Sequence, residues 1–392
     1  MRTNLFCLTA VMFGTTSVAA RLFAASYAGT VTSLALTKPN TTYELSILSE
    51  TNDCGSSPAW LMLDGKHDVL YCLDEGIGAV NGSLTSFKVL KNGTLTKIEH
   101  LETLTGAVQS EMYSAPGVAD RQFFAVAHYE GSAVTTYSLD RVKGLFKRSQ
   151  TFTYELAGPG PVPDRQDAPH PHGVVVDPTG RFVLVPDLGA DLVYIFYVDP
   201  STGQLEQLEP LAVTPGSGPR HAVFWTPRGS KGKPKEVYLY LVGELNNSLS
   251  AFKVTYSGKT GISFFKSYEG STYGERVPPV GSKAAEIAIS PENNHVVVSN
   301  RNDNTFGLGN DSFAVFSCAN SFRNVTFLDL YPAYGSFPRQ FSINKEDKMV
   351  AVALQNSHMV AITRWDKKAG APGTLLAEKL LDGEIPAVVW DL

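Results

Sequence analysis

The sequence predicts an all-β protein: a seven-bladed β-propeller whose last blade is closed jointly by N- and C-terminal strands. Three observations carry that reading. A phrase of small or polar anchor, apolar strand, turn and second apolar strand recurs at Pro58, Pro116, Pro171, Pro219, Ala285, Pro338 and Pro386, at intervals of about 50 to 65 residues. Such a period fits one four-stranded blade with its loops. Apolar residues alternate or run in short bursts, and 34 glycines and 23 prolines interrupt any sustained helical spacing. The last anchor opens only residues 386–392, a single strand, whereas residues 27–49 have strand character and no anchor. The two ends therefore complete one blade, and closure removes a free sheet edge. A pair of β-sandwiches is the other all-β arrangement, and it leaves the split terminal blade unexplained.

Taken from the N-terminus, residues 1–20 read as a secretory signal and residues 21–392 as the propeller. Arg2 supplies the positive start, residues 5–13 the apolar run, and Ser17-Val18-Ala19-Ala20 a small-residue cleavage site. The competing reading is an uncleaved, buried first strand. The apolar run is too short to span a bilayer and no later stretch is longer, so no membrane span is expected. Six glycosylation sequons, at Asn40, Asn81, Asn92, Asn246, Asn310 and Asn324, fit an exported glycoprotein that is secreted or associated with a cell wall. Asn246 lies close in sequence to a candidate pocket residue.

Three cysteines follow the signal. Cys54 precedes one predicted strand and Cys72 lies in the strand that returns beside it, so a Cys54–Cys72 bridge is expected in an oxidising compartment. Cys318 is left over in an apolar strand, with no activating base near it in sequence. The net charge of −5 includes no basic stripe, and nucleic acid is not an expected partner. Lys231, Lys233 and Lys235 read as a solvated hairpin tip.

Blade three shows the hairpin most clearly. Asp177-Pro178-Thr179-Gly180 is a turn between two β-branched runs, with His170, Pro171 and His172 before the first and Asp187 ending the second. In such a hairpin the start of the first strand and the end of the second meet at the open end, and in a propeller those ends gather on one face. The polar residues there are His170, His172 and Asp187 in blade three, and Arg220, His221 and Glu244 in blade four. Blade five adds Glu286, Asn300 and Arg301, and blade six Arg339, Gln355 and Asn356. Arginines, carboxylates and an imidazole thus face one mouth.

Each has a structural reading as well. Asp187 suits capping of backbone amides. Arg220 with Glu244, and Glu286 with Arg301, suit ion pairs inside their own blades. His170 and His172 are expected to face apart and not to share an ion. The Asn- and Asp-rich stretch 300–311 lacks the glycine and terminal glutamate of a calcium loop. No metal or other cofactor is expected.

With these residues in place, the chain resembles the seven-bladed lactonase family, which includes 6-phosphogluconolactonases of the bacterial type and fungal carboxymuconate lactonizing enzymes. The resemblance covers nearly all of residues 21–392. It is most specific at Pro171-His172-Gly173, at Gly218-Pro219-Arg220-His221, at Val242-Gly243-Glu244-Leu245-Asn246 and at Ser299-Asn300-Arg301. In the second and third motifs it is closer to the gluconolactonase form, with Gly243 where that form has asparagine. The set proposed as active in the lactonizing enzymes matches His172, Arg220, Glu244 and Arg301 here. Secretion departs from the family's intracellular pathways. Exported relatives resemble cell-wall or secreted antigens that carry the carboxymuconate cyclase label by similarity.

The resemblance implies an enzyme that hydrolyses or forms a lactone of a small anionic hydroxy acid without a metal. His172 would be the general base, and Glu244 a second acid/base or the group that orients His172. Arg220 and Arg301, with Glu286 and Arg339, would bind a carboxylate or phosphate. The alternative is a non-catalytic secreted or cell-surface propeller that binds a small anion or glycan. A further expectation follows: if Arg220 and Arg301 serve a ligand, deleting either leaves the melting temperature nearly unchanged.

Overall fold

The computed structural model describes residues 18–115, 122–227, 236–318, 325–346 and 348–391. These form seven antiparallel sheets arranged as a seven-bladed propeller. In each blade strand a lies innermost and strand d outermost. The terminal closure is as expected. Strand a of the last blade is Ala387–Asp391, and it pairs with Val18–Ala25 from the other end of the chain. Their register runs from Arg21↔Asp391 to Ala25↔Ala387, and Val31–Thr37 and Glu44–Thr51 complete the sheet. Most of the predicted signal, and its Arg2 and apolar run, lies outside the described residues. So do the Lys231–Lys235 tip and Asn324.

One anchor is misplaced in the sequence reading. Strand a of blade two is Ala107–Ser114, so Pro116 follows that strand and itself lies outside the described residues. Gly106 takes the anchor's place at φ +72°, and a Cβ there would lie 2.2 Å from the Glu130 backbone nitrogen. Only glycine satisfies both demands without strain.

The core lies between blades, as with Tyr71, Phe124 and Tyr137 where blades one and two pack together. Polar ties recur on the face away from the mouth. Arg141 clamps Asp64 of blade one, Tyr256 donates to Asp177 of blade three, and the Trp365 indole N–H donates to Glu292 of blade five. Each joins strand c, or the turn after it, to the a–b turn of the preceding blade. The Cys54–Cys72 disulfide forms, and Cys318 is buried with its thiol pushed up to about 12, chiefly by desolvation. Among the described residues no helix is long and apolar enough to cross a membrane.

One irregularity positions the site. Strands a of blades one, two, four, five and six each carry a bulge at their start: at Pro58/Trp60, Ala107/Gln109, Pro219/Ala222, Ala284/Ile287 and Pro338/Gln340. A bulge breaks the two-residue alternation and re-aims the side chains within it. Val108, Arg220, His221, Glu286 and Arg339 all fall in these bulges.

Candidate active site

A cavity of about 470 Å³ opens at the mouth, lined in part by Glu75, Tyr129, Arg165, His172, Glu244, Arg301 and Arg339. Its centre of charge is Glu244, just past the end of strand b of blade four (Val237–Gly243) and only 2% exposed. Glu244 Oε2 lies 3.1 Å from Arg220 Nε and 2.7 Å from an Arg301 Nη, and Oε1 accepts from Arg165 at 2.8 Å. Burial alone would raise the Glu244 carboxyl. Arg301, Arg165 and Arg220 outweigh it and hold the group well below the carboxylate range. Glu244 is thus a fixed anion with no proton to exchange near neutrality. Its oxygens are engaged by arginines, and its expected part as an acid/base or as the orienter of His172 does not fit the geometry.

Three guanidiniums surround one carboxylate, and buried Glu286, which also faces Arg220, offsets part of their charge, so the cluster keeps a net positive excess. Burial, followed by the Arg301 charge, pushes Arg220 downward; burial likewise lowers Arg301. Arg301 also donates to the Ala284 carbonyl at 3.3 Å and stacks over Phe337. Arg339 is held from the far side of the ring, by the Tyr27 hydroxyl and by Glu75 at 3.5 Å.

His172 sits in the approach to strand a of blade three. Its N–H donates to the Pro186 carbonyl, and Gly173 lets the chain pass close to blade four, where a Cβ would lie 2.6 Å from the Arg220 carbonyl oxygen. His172 Nδ1 faces His221 Nε2 at 3.3 Å, and His221 Nδ1 faces Glu286 Oε1 at 3.0 Å. Burial, then the Arg220 charge, lowers His172 well below its ordinary value, so the ring is neutral at neutral pH.

Several expectations change on this geometry. Arg301 pairs with Glu244 of the neighbouring blade, and Glu286 reaches across to His221, so the Glu286–Arg301 pair does not form. Glu286 is turned away from the cavity toward His221. Arg220 is 1% exposed and stands behind Glu244, outside the lining, so it reaches a ligand only through the field it shares with Glu244. His170 and His172 do not face apart. Residues two apart on extended chain share a side, and both line the cavity. The His170 nitrogens are taken by the Tyr129 carbonyl and Asp167. Among the described residues no group of three or more His, Cys, Asp or Glu side chains is placed to hold a metal ion. Asp187 caps the His170 and Ala190 amides, as its structural reading has it. Asn300 bonds Ser312, and Gln355 bonds Glu384. Of the sequons, Asn40, Asn81, Asn92 and Asn246 are exposed and Asn310 is half-buried.

Sequence reasoning passed over Glu75, Tyr129 and Arg165. Glu75 and Tyr129 lie just past the ends of strand b in blades one and two (Val69–Asp74 and Gln122–His128). The rule that selected Glu244 selects them too, once extended to those blades. Arg165 comes from the proline-rich segment 154–174, pinned by buried Gln166, whose side chain accepts from the Val162 amide and donates to the Leu188 carbonyl. Arg165 also donates to the Tyr129 hydroxyl at 3.2 Å. A long polar loop before a blade is the only signal for it.

Comparison with known proteins adds to this geometry. Residues 21–389 match the family described as "Lactonase, 7-bladed beta-propeller". A protein of Arthroderma benhamiae named probable 6-phosphogluconolactonase is 32% identical over 334 residues, covering 84% of this chain and 80% of that one. The 6-phosphogluconolactonase of Bacillus subtilis is 25% identical over 317 residues, covering 80% and 82% of the two chains. Among solved structures, the periplasmic gluconolactonase of Pseudomonas aeruginosa superposes with a TM-score of 0.76 at 21% identity, covering 95% of this chain and 98% of that one. At that identity the likeness concerns the fold.

Proposed function

Because this chain belongs to the seven-bladed β-propeller lactonase family, we propose that it is a secreted lactonase that hydrolyses a lactone bearing an anionic group, with the mouth cavity as its active site. The observation that carries this reading is the unmatched charge around Glu244. A net excess of guanidinium charge in this cluster favours an incoming carboxylate or phosphate, and arginine forks suit both.

Arg165, Arg301 and Arg339 line the cavity and hold the anionic substituent. Glu244 keeps the guanidiniums apart and oriented. His172, neutral, takes a proton from water as the oxygen attacks the lactone carbonyl. A guanidinium meets the negative charge that develops on the carbonyl oxygen. The ring C–O bond then breaks, and the imidazolium returns the proton to the departing oxygen. Water is consumed and a hydroxy acid is released.

Names of relatives support the reaction class: the Arthroderma benhamiae and Bacillus subtilis proteins are called 6-phosphogluconolactonases. Export is read from residues 1–20, the sequons and the disulfide. Cleavage after Ala20 leaves the whole closing ladder, Arg21↔Asp391 to Ala25↔Ala387, in the mature chain. Cell-wall association is part of the same proposal.

A pH-stat assay on a panel of phosphorylated, carboxylated and neutral lactones tests the activity. Turnover of the anionic members, reduced about 10²–10⁴-fold in His172→Gln, is the expected result. Binding without turnover establishes the non-catalytic alternative instead. Intact mass of the secreted product, before and after deglycosylation, tests export, and an unprocessed, unmodified chain from a secreting host rejects it.

A further inference from the structure

Two buried titratable groups next to the site have no part in the mechanism above. His221 is 5% exposed and Glu286 8%, and neither lines the cavity. They come from bulges in adjacent blades, and they stand in line behind His172.

Hydrogen-bond polarity along this line allows one arrangement when His221 is neutral. Glu286 Oε1 accepts the Ile287 N–H at 2.9 Å, and a carboxylate only accepts. His221 Nδ1, 3.0 Å from the same oxygen, must therefore carry a proton and donate it. Arg220 Nη1 also approaches His221 Nδ1, at 3.4 Å. If Nδ1 accepted from Arg220 instead, its lone pair would face a carboxylate oxygen at closer range, and the two would repel. Burial lowers His221 below its ordinary value and keeps the ring neutral, so with Nδ1 protonated its lone pair lies on Nε2, which faces His172 Nδ1. His172 must then donate from Nδ1, and its own lone pair lies on Nε2. That is the nitrogen left for the cavity.

We propose that His221 and Glu286 are positioning residues of a buried His172–His221–Glu286 relay. The relay fixes His172 in the tautomer whose Nε2 lone pair is available to the cavity, and it accepts the charge when His172 is protonated. The tautomer assignment stands on this geometry together with a neutral His221; its service to catalysis rests on the hydrolase reading. As a proton arrives at His172 Nε2, the Nδ1 proton passes to His221 Nε2, and the positive charge moves beside Glu286. It leaves the neighbourhood of Arg301, which disfavours a cation on His172, for a place beside the Glu286 carboxylate. The charged groups facing His172 are Arg220, Arg301 and Arg339, with His221; those facing His221 are Glu286, Arg220 and Arg339. The Trp60 ring packs edge-on against His221, and the Tyr129 ring against His172. Both contacts restrict ring rotation.

The test is long-range ¹H–¹⁵N correlation on the full chain with labelled histidine, assigned with His172→Gln and His221→Gln. Both rings are expected as Nδ1–H tautomers at pH 8, and an Nε2–H tautomer at either one overturns the proposal. Glu286→Gln keeps an oxygen for the Ile287 and His221 donors and removes only the charge. It should preserve both tautomers, lower kcat with little change in KM, and move the acid limb of kcat to lower pH by roughly one pH unit. An unmoved acid limb overturns the relay's charge-accepting part. His221→Phe should release His172 to the other tautomer and lower kcat about 10³–10⁴-fold. If that variant does not fold, Glu286→Gln still decides. A wild type that turns over no lactone refutes the hydrolase reading, while the correlation spectrum judges the tautomers without substrate.

Discussion

Asp64 and Glu244 are both buried carboxylates gripped by arginine, on opposite faces of the same ring. Asp64 takes one arginine in a bidentate clamp, Arg141 Nε at 2.5 Å and Nη2 at 2.6 Å, and one hydrogen bond from His67. Charge is matched there, and the pair ties blade one to blade two. Glu244 takes three arginines from blades four and five and from the loop before blade three. Charge is not matched there. Burying charge is unfavourable unless it is paired, so the mouth spends stability that the far face conserves. A matched pair is explained by folding alone, whereas a surplus of buried cations calls for an anion from outside.

The comparison breaks most directly at the two carboxylates. Glu244→Gln leaves three arginines crowded without the carboxylate they share, two of them buried, and should cost about 3–5 kcal/mol or abolish folding. Asp64→Asn leaves a single Arg141 whose side chain is 26% exposed and reaches water, so about 1–2 kcal/mol is expected. Urea denaturation of both variants checks the order. Equal costs would mean that the surplus at the mouth has no energetic consequence.

Next in size is the effect of an added anion. A ligand at one hundred times its Kd stabilises the native state by about 2.7 kcal/mol, and a phosphorylated hydroxy acid should raise the melting temperature accordingly. Arg301→Met should abolish that gain while changing the unliganded melting temperature little, because Glu244 keeps Arg165 and Arg220 and loses only part of a crowded set. That is the outcome expected from the sequence for Arg220 and Arg301, now with a different cause. The two arginines are not free of structural pairing; they are redundant in it. Thermal melts with and without the ligand decide the point, and a large drop in the unliganded variant would make Arg301 a structural brace.

Which parts of this were legible beforehand follows from the physics of each signal. Blade count and terminal closure rest on repeated strand patterning, which survives a misplaced anchor such as Pro116 because the neighbouring hairpins fix the phase. Membership of the mouth was legible for His172, Glu244, Arg301 and Arg339 because strand starts and ends must lie on one rim. Partnership was not. Whether Glu286 meets Arg301 or His221 depends on bulges at Ala284/Ile287 and Pro219/Ala222, where one extra residue on strand a turns the side chains toward the next blade. Alternation rules cannot foresee an inserted residue. Arg165 was illegible for a different reason: its loop has no period, and Gln166 holds it by bonds to residues both near and distant in sequence.

The smallest expected effect concerns a third way to bury an ionisable group, which is to keep it neutral. His128, fully buried at the end of strand b of blade two, bonds the Leu104 carbonyl and the Thr135 hydroxyl, and burial lowers it to about 4. In the unfolded chain the same ring titrates near 6.5. Above pH 6.5 neither state is protonated and the group has no influence on the pH dependence of stability. As pH falls from 6.5 toward about 4, the unfolded chain binds a proton that the native state refuses, so stability is lost across that window. Asp187 works in the opposite sense. Desolvation raises it to about 6, so the native state takes up a proton there before the unfolded chain does. The wild-type acid profile is therefore a difference of opposing contributions, and a single curve cannot isolate His128. Comparing His128→Gln with wild type removes what they share. Glutamine has no charge to gain, so its disadvantage relative to wild type should be about 1–2 kcal/mol smaller at pH 5 than at pH 7.5. Denaturation curves at the two pH values measure that difference. If the disadvantage is the same at both, His128 is protonated in the native state, and neutral burial is not how this ring accommodates it.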